Sequence, residues 1–228
     1  MNPEANESIR TLIDAGDVEA LRAALTADRA LALRPVRWQL HRWNESDPLH
    51  YVCDSVGNGW LTNGREGEVA ATLLAAGAAL EGTDQRESPL IAAASPGAGK
   101  VAQVLLEAGA NVERTSVFGA RALHWAAWTG DAQTVRLLLA RRPDIEARCS
   151  EFGATPLFWA VHGLSPRGPR EKSDQLGAAQ ALLEAGARLD TSNKEGLSAS
   201  DLARSFAQRD LCELLERYAT GPVERCGA

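Results

Sequence analysis

The chain has 228 residues, 45% of them hydrophobic and 24% charged, with a formal net charge of −6. A chain of this length buries roughly 70% of the surface its unfolded form exposes, so it needs no staple to fold, and its composition is too apolar for a disordered protein. The acidic balance weighs against a nucleic-acid surface, which needs a clustered positive field.

The elements come in pairs along the chain. "SIRTLIDAGDVEALRAAL", from Ser8, predicts two short helices parted at Gly16 and Asp17. Arg34, Arg37 and Arg42 then surround Trp38 and Trp43, read as an elongated loop of solvated arginines, with a phosphate or acidic-peptide contact as the alternative. "PLHYVCDS", from Pro48, opens a second pair with a helix-starting proline. Its two helices are separated by a loop-like insertion, "SVGNGWLTNGREG" at 55–67. "PLIAAA" from Pro89 and "KVAQVLLEAG" from Lys100 form a third pair. The "SPGAGKV" between them resembles a phosphate-binding loop only superficially. Ala94 stands where that signature needs glycine, Val101 where it needs Ser or Thr, and no strand precedes it. "ALHWAAW" with "DAQTVRLLLAR" gives a fourth pair, and "PLFWAVH" with "LLEAGARL" a fifth, interrupted by "GLSPRGPREKSDQLG" at 163–177. "EGLSASDLA" and the amphipathic "RDLCELLERY" close the series as a sixth.

These pairs repeat one phrase. "SVFGARALHWAAW" at 116–128 returns 34 positions later as "SEFGATPLFWAVH", with seven of thirteen residues identical. Leu49, Leu90, Leu123 and Leu157 occupy one position of the phrase, and "LLAAGAAL", "LLEAGANV", "LLARRPDI" and "LLEAGARL" keep the same beat. A unit of about 33 residues cannot bury the apolar faces of two helices by itself, so neighbouring units must stack to complete the core.

The TPLHxAA-like and LLxxGA-like phrases resemble those of the ankyrin repeat family, over about residues 5–220. The resemblance implies an all-α-dominated repeat solenoid of helix-turn-helix units joined by β-hairpin loops. It gives one domain of about six units, 5–41, 42–82, 83–115, 116–149, 150–192 and 193–220, with a tail at 221–228. It also implies that His50 and His124 hydrogen-bond nearby backbone, that Cys53 fills a packing slot, and that Tyr51, Trp125 and Trp159 point inward. The family's contact surface, hairpin tips and first-helix ends, transfers onto Trp43, Asn44, Asp54, Glu87, Phe118, Trp128, Glu151, Phe152 and His162. Trp60 joins this set as a lone aromatic in the first insertion, either plugging the stack or meeting a partner. Exposed aromatics beside carboxylates form a usual recognition patch, although Phe118 and Phe152 recur at one position and could stack on neighbouring rings instead.

The expected function is a non-catalytic protein-protein interaction module. Its concave, acidic and aromatic face would bind a basic or polar segment of another protein, with no nucleic acid or membrane partner, as a monomer. The alternative is an enzyme or small-molecule binder that uses His162, Glu151 and Asp54 of the same groove for acid and base work. No cofactor or metal is expected. Cys53, Cys149, Cys212 and Cys226 form no Cys-x-x-Cys pair and fall in separate segments. The opening "MNPEANESIR" lacks a signal-like apolar run, and no window carries the roughly 18 apolar residues of a spanning helix. A reduced, cytoplasmic protein is expected.

Overall fold

The computed structural model describes residues 3–83, 87–95, 97–165, 168 and 173–219, with 3–8 described by their backbone alone. It divides into two compact units, Met1–Val117 and Phe118–Ala228. Each unit holds three helix pairs, and the fold class is an all-α repeat solenoid.

In the first unit, α1 (Pro3–Ala15) and α2 (Val18–Ala27) lead through a 3₁₀ turn, Arg29–Ala32, into strands β1 (Val36–Gln39) and β2 (Trp43–Ser46). Then follow α3 (Pro48–Gly57) with α4 (Glu66–Ala75), and α5 (Pro89–Ala94) with α6 (Gly99–Glu107). α3 packs on α1 and α5, and α4 packs on α2 and α6, so first helices form one row and second helices another. The second unit repeats this arrangement with α7 (Ala122–Thr129), α8 (Ala132–Leu139), α9 (Pro156–His162), α10 (Gln175–Glu184), α11 (Ala199–Ser205) and α12 (Arg209–Ala219). There α9 lies between α7 and α11, and α10 between α8 and α12.

Local chemistry sets where each helix starts. Pro48, Pro89 and Pro156 take the first helical position, where proline's missing N–H costs nothing. Ser88, Thr155, Asp17 and Asp131 each accept an amide N–H from the first turn that follows. Gly130 ends α7 in the left-handed region at φ 69°, and a Cβ there would stand 2.7 Å from the Asp174 amide nitrogen, so two demands select glycine at once.

The repeated leucines are the core. Leu49, Leu90, Leu123 and Leu157 are at most 2% exposed, and Leu73, Leu105, Leu138 and Leu182 of the second phrase are 0% exposed. Each contributes about 2 kcal/mol by leaving water. The period of the phrase is therefore the period of burial, which is the packing account of why the chain repeats itself.

The connections differ from the expected run of β-hairpins. Among the described residues only β1 and β2 pair as strands, antiparallel, in the register Val36 with Ser46 through Gln39 with Trp43. Elsewhere the hairpin shrinks to a turn: Cys149 N–H donates to Ala154 O at 3.0 Å and Gly153 N–H to Cys149 O at 3.0 Å. The first connection has extra residues with which to extend a ladder, and the later ones turn back at once through glycines such as Gly153, at φ 61°.

Candidate functional site

Two surfaces collect the candidate residues, one in each unit. In the first unit the β1–β2 hairpin stands over α3 and leaves a groove of about 870 Å³, whose lining includes Trp38, Trp43, Asn44, Ser46, His50 and Asp54. Trp43 is 70% exposed, the most exposed tryptophan of the described chain. Asn44 turns its amide to Arg42 O at 2.9 Å, which shapes the hairpin tip. Of the three arginines, Arg34 is bonded to Asp28 at 3.2 Å and Arg37 to Glu45 at 2.6 Å, so the cluster is partly neutralised.

The polar floor of this groove is a chain of contacts. Trp38 Nε1–H donates to Ser46 Oγ at 3.4 Å, and Ser46 Oγ–H donates to Asp54 Oδ2 at 2.7 Å. Asp54 Oδ1 lies 3.9 Å from His50 Nε2, while His50 Nδ1 lies 3.3 Å from Glu87 O. If that second contact is a hydrogen bond from Nδ1–H, a neutral ring turns a lone pair toward Asp54, and only a shared proton makes the pair attractive. Burial raises the Asp54 carboxyl pKa, with His50 and the Ser46 hydroxyl opposing the rise. Burial raises Glu87 likewise, and the neighbouring Asp54 charge adds to it.

This arrangement is not a nucleophilic triad. The Ser46 hydroxyl gives its proton to a carboxylate and not to the imidazole, so nothing activates its oxygen. Nor is Cys53 an activated thiol. It is buried, its S–H points to Leu49 O and Pro89 O at 3.6 and 3.7 Å, and desolvation pushes its pKa up. No three His, Cys, Asp or Glu side chains among the described residues group tightly enough to hold a metal ion.

Trp60 sits against this site from behind. Its ring meets Trp38 edge-on at 5.4 Å and lies 6.3 Å from Tyr51, which is fully buried. The loop carrying it is pinned on both sides of Gly64: Asn63 Nδ2–H donates to Ala15 O at 2.8 Å, and Arg65 pairs with Glu19 and Glu68 at 2.9 Å. Lys100 of the glycine-rich "SPGAGKV" donates to Gly64 O at 2.8 Å, which engages it within the fold.

In the second unit, Phe118 and Phe152 occupy equivalent turns. Ser150 N–H donates to Phe118 O at 2.9 Å, and Lys194 N–H donates to Phe152 O at 2.9 Å, so each turn holds the next. Their rings are 40% and 48% exposed, with inner sides 6.3 Å from Trp125 and 6.4 Å from Trp159. Trp125 in turn meets Trp128 at 5.9 Å and Trp159 at 5.2 Å, both edge-on. The result is a continuous aromatic row with half-covered ends. Its base is His124, which takes Arg121 N–H on Nδ1 at 3.1 Å and gives Nε2–H to Ala147 O at 3.1 Å. Burial holds this ring neutral, its pKa lowered to about 4.

Glu151 and His162 are exposed on the same unit, and Asp54 belongs to the other. The His162 pKa is lowered by burial alone, with no carboxylate contributing. Six of the fifteen residues of the second insertion, 166, 167 and 169–172, lie outside the described residues, as do Cys226 and the tail at 221–228. The residues that sequence reasoning passed over are Ser46 and His50 as partners of Asp54. Their spacing of four was visible, but the strand that delivers Ser46 was not.

A model of the family described as ankyrin repeats in three copies matches residues 60–149. Protein PhlB of Serratia liquefaciens is 46% identical over 59 residues, a stretch that makes up 26% of this chain and 26% of that protein. The chain thus spans about a quarter of the length of the curated relative it matches. The buried phrase leucines agree with this match, and ankyrin repeats are detected in residues 60–149 of the chain.

Proposed function

We propose that the chain is a non-catalytic module that captures another protein, using aromatic side chains on its inter-pair turns with carboxylates beside them. Ankyrin repeats are generally protein-interaction modules. The observation that carries the reading is the pair Phe118 and Phe152, which repeat at one position, stay 40% and 48% exposed, and rest on a row of packed tryptophans. Rings held in place from beneath lose little entropy on binding, which is what a binding hot spot requires. Glu151 beside Phe152 favours a basic or polar segment in the partner.

The test is capture from native lysate by the immobilised protein. Replacing both rings, Phe118→Ser with Phe152→Ser, abolishes capture. Val135→Ala, a change in the fully buried part of α8, lowers stability and leaves capture intact. Equal capture by the wild type and the double variant, or equal loss in the Val135 control, removes this reading.

A further inference from the structure

In the first unit, we propose that the groove between the β1–β2 hairpin and α3 is a socket for an arginine side chain of a partner protein, with Asp54 accepting the guanidinium and Trp43 covering it. This rests on the protein-binding reading above and gives that partner a required chemistry.

The groove floor offers acceptors. Ser46 has spent its proton on Asp54 Oδ2 at 2.7 Å and one lone pair on Trp38 Nε1–H at 3.4 Å, and keeps its second lone pair as an acceptor. Among the described residues Asp54 Oδ1 meets His50 Nε2 at 3.9 Å, beyond hydrogen-bond length, while His50 Nδ1 is engaged at Glu87 O. A half-buried carboxylate oxygen without a good donor is costly, and a charge-assisted donor recovers that cost. An anion in the groove would meet the carboxylate head-on.

The walls exclude the simpler cation. Trp43 exposes 70% of its surface beside this floor, and Trp38 is fixed on the far side by its bond to Ser46 and by Trp60. A planar guanidinium stacks on an indole face and donates two parallel N–H groups to a carboxylate; a hydrated ammonium does neither as well. The two arginines that line the groove among the described residues do not fill the role. Arg37 is bound to Glu45 at 2.6 Å, and Arg42 is exposed at the hairpin turn. A volume of about 870 Å³ admits a side chain with its flanking backbone. The adjoining pocket, of about 120 Å³, shares Ser46 and His50 and ends on Glu87, a further negative charge behind the first.

The probe is the capped peptide acetyl-Gly-Arg-Gly-amide, titrated into the full chain and followed through the tryptophan indole N–H signals. Movement of the Trp43 and Trp38 signals is expected, with affinity in the millimolar range. Asp54→Asn keeps the acceptor from Ser46, removes the charge, and weakens binding about tenfold. Trp43→Ala weakens it similarly. The same peptide with citrulline, a neutral isostere of arginine, binds far more weakly. Unmoved Trp43 and Trp38 signals, unchanged affinity in the Asp54 variant, or equal binding of the citrulline peptide would each overturn the socket. If the peptide fails while the Phe118 and Phe152 variant still loses capture, the socket falls and the interaction reading stands. The converse outcome keeps the socket and removes the aromatic row as the contact.

Discussion

Gly163, at the end of α9, lies against the carbonyl oxygen of Trp128 on α7, so closely that a Cβ would come within 2.3 Å of it. Its backbone is ordinary right-handed helix, φ −57°, so the constraint is space and not torsion. Backbone cannot swing aside as a side chain can. Gly163→Ala therefore destabilises the chain by about 1–3 kcal/mol, the usual cost of overpacking. Urea unfolding followed by far-UV circular dichroism measures it. A loss below 0.5 kcal/mol, on the order of a neutral surface change, means that the two helices separate more easily than this contact implies.

Arg142 stands where the repeat carries Gly109 and Gly186, and it keeps their backbone: φ 54° against 90° and 96°. A side chain in that region costs roughly 1 kcal/mol, which glycine does not incur. Arg142→Gly is expected to raise stability by about 0.5–1 kcal/mol, even though it removes a side chain. Gly109→Ala moves the other way by a similar amount. Opposite signs in the two melting curves confirm that the backbone, and not the surface charge, decides.

How much of this was legible in the sequence depends on the range of the interaction. The phrase leucines were legible, because burial at intervals of 41, 33 and 34 residues writes a repeat into the sequence. His124 was legible for the same reason, as one recurrent slot with one recurrent bond. Phe118 and Phe152 were half legible: recurrence announced a shared environment, but that each ring packs on a tryptophan while part of it stays exposed required the positions of Trp125 and Trp159. Trp60 was ambiguous because Trp38, its main contact, lies 22 residues upstream across a helix. The Ser46 to Asp54 bond was not legible at all. Only the register of β1 on β2 decides which face Ser46 shows to α3.

His124 sets a pH window for stability. Its folded pKa, about 4, lies below the ordinary 6.5, because burial disfavours the charged ring and the Arg121 charge adds to that, against the opposing pull of the Ala147 carbonyl. A depressed histidine supports the fold fully above 6.5 and loses that support as the pH falls toward 4. At roughly 1.4 kcal/mol per pH unit, the loss approaches about 3 kcal/mol across the window. Asp54 and Glu87 are raised and act in the opposite sense, so the comparison is a difference curve against His124→Gln, in which they cancel. The variant is less stable at pH 7, and its deficit narrows toward pH 4. A deficit constant over that range would remove the histidine as the cause.

Asp14 joins α1 to α3 through two buried donors. Tyr51 Oη–H reaches its carboxylate at 2.9 Å and Ser55 Oγ–H at 2.6 Å, and Arg10 Nε approaches from the same helix at 3.8 Å. Tyr51 and Ser55 are 0% exposed, so neither can turn to water if the acceptor goes. Asp14→Ala is expected to cost about 2–4 kcal/mol, the penalty of stranding two buried hydroxyls and a guanidinium. Tyr51→Phe removes one donor and leaves the carboxylate with Ser55 and Arg10, at a cost of about 1 kcal/mol. In the double variant one stranded hydroxyl is gone, so the two losses sum to more than the double variant shows. Strict additivity in urea denaturation would mean that the tyrosine and the carboxylate are neighbours without being coupled.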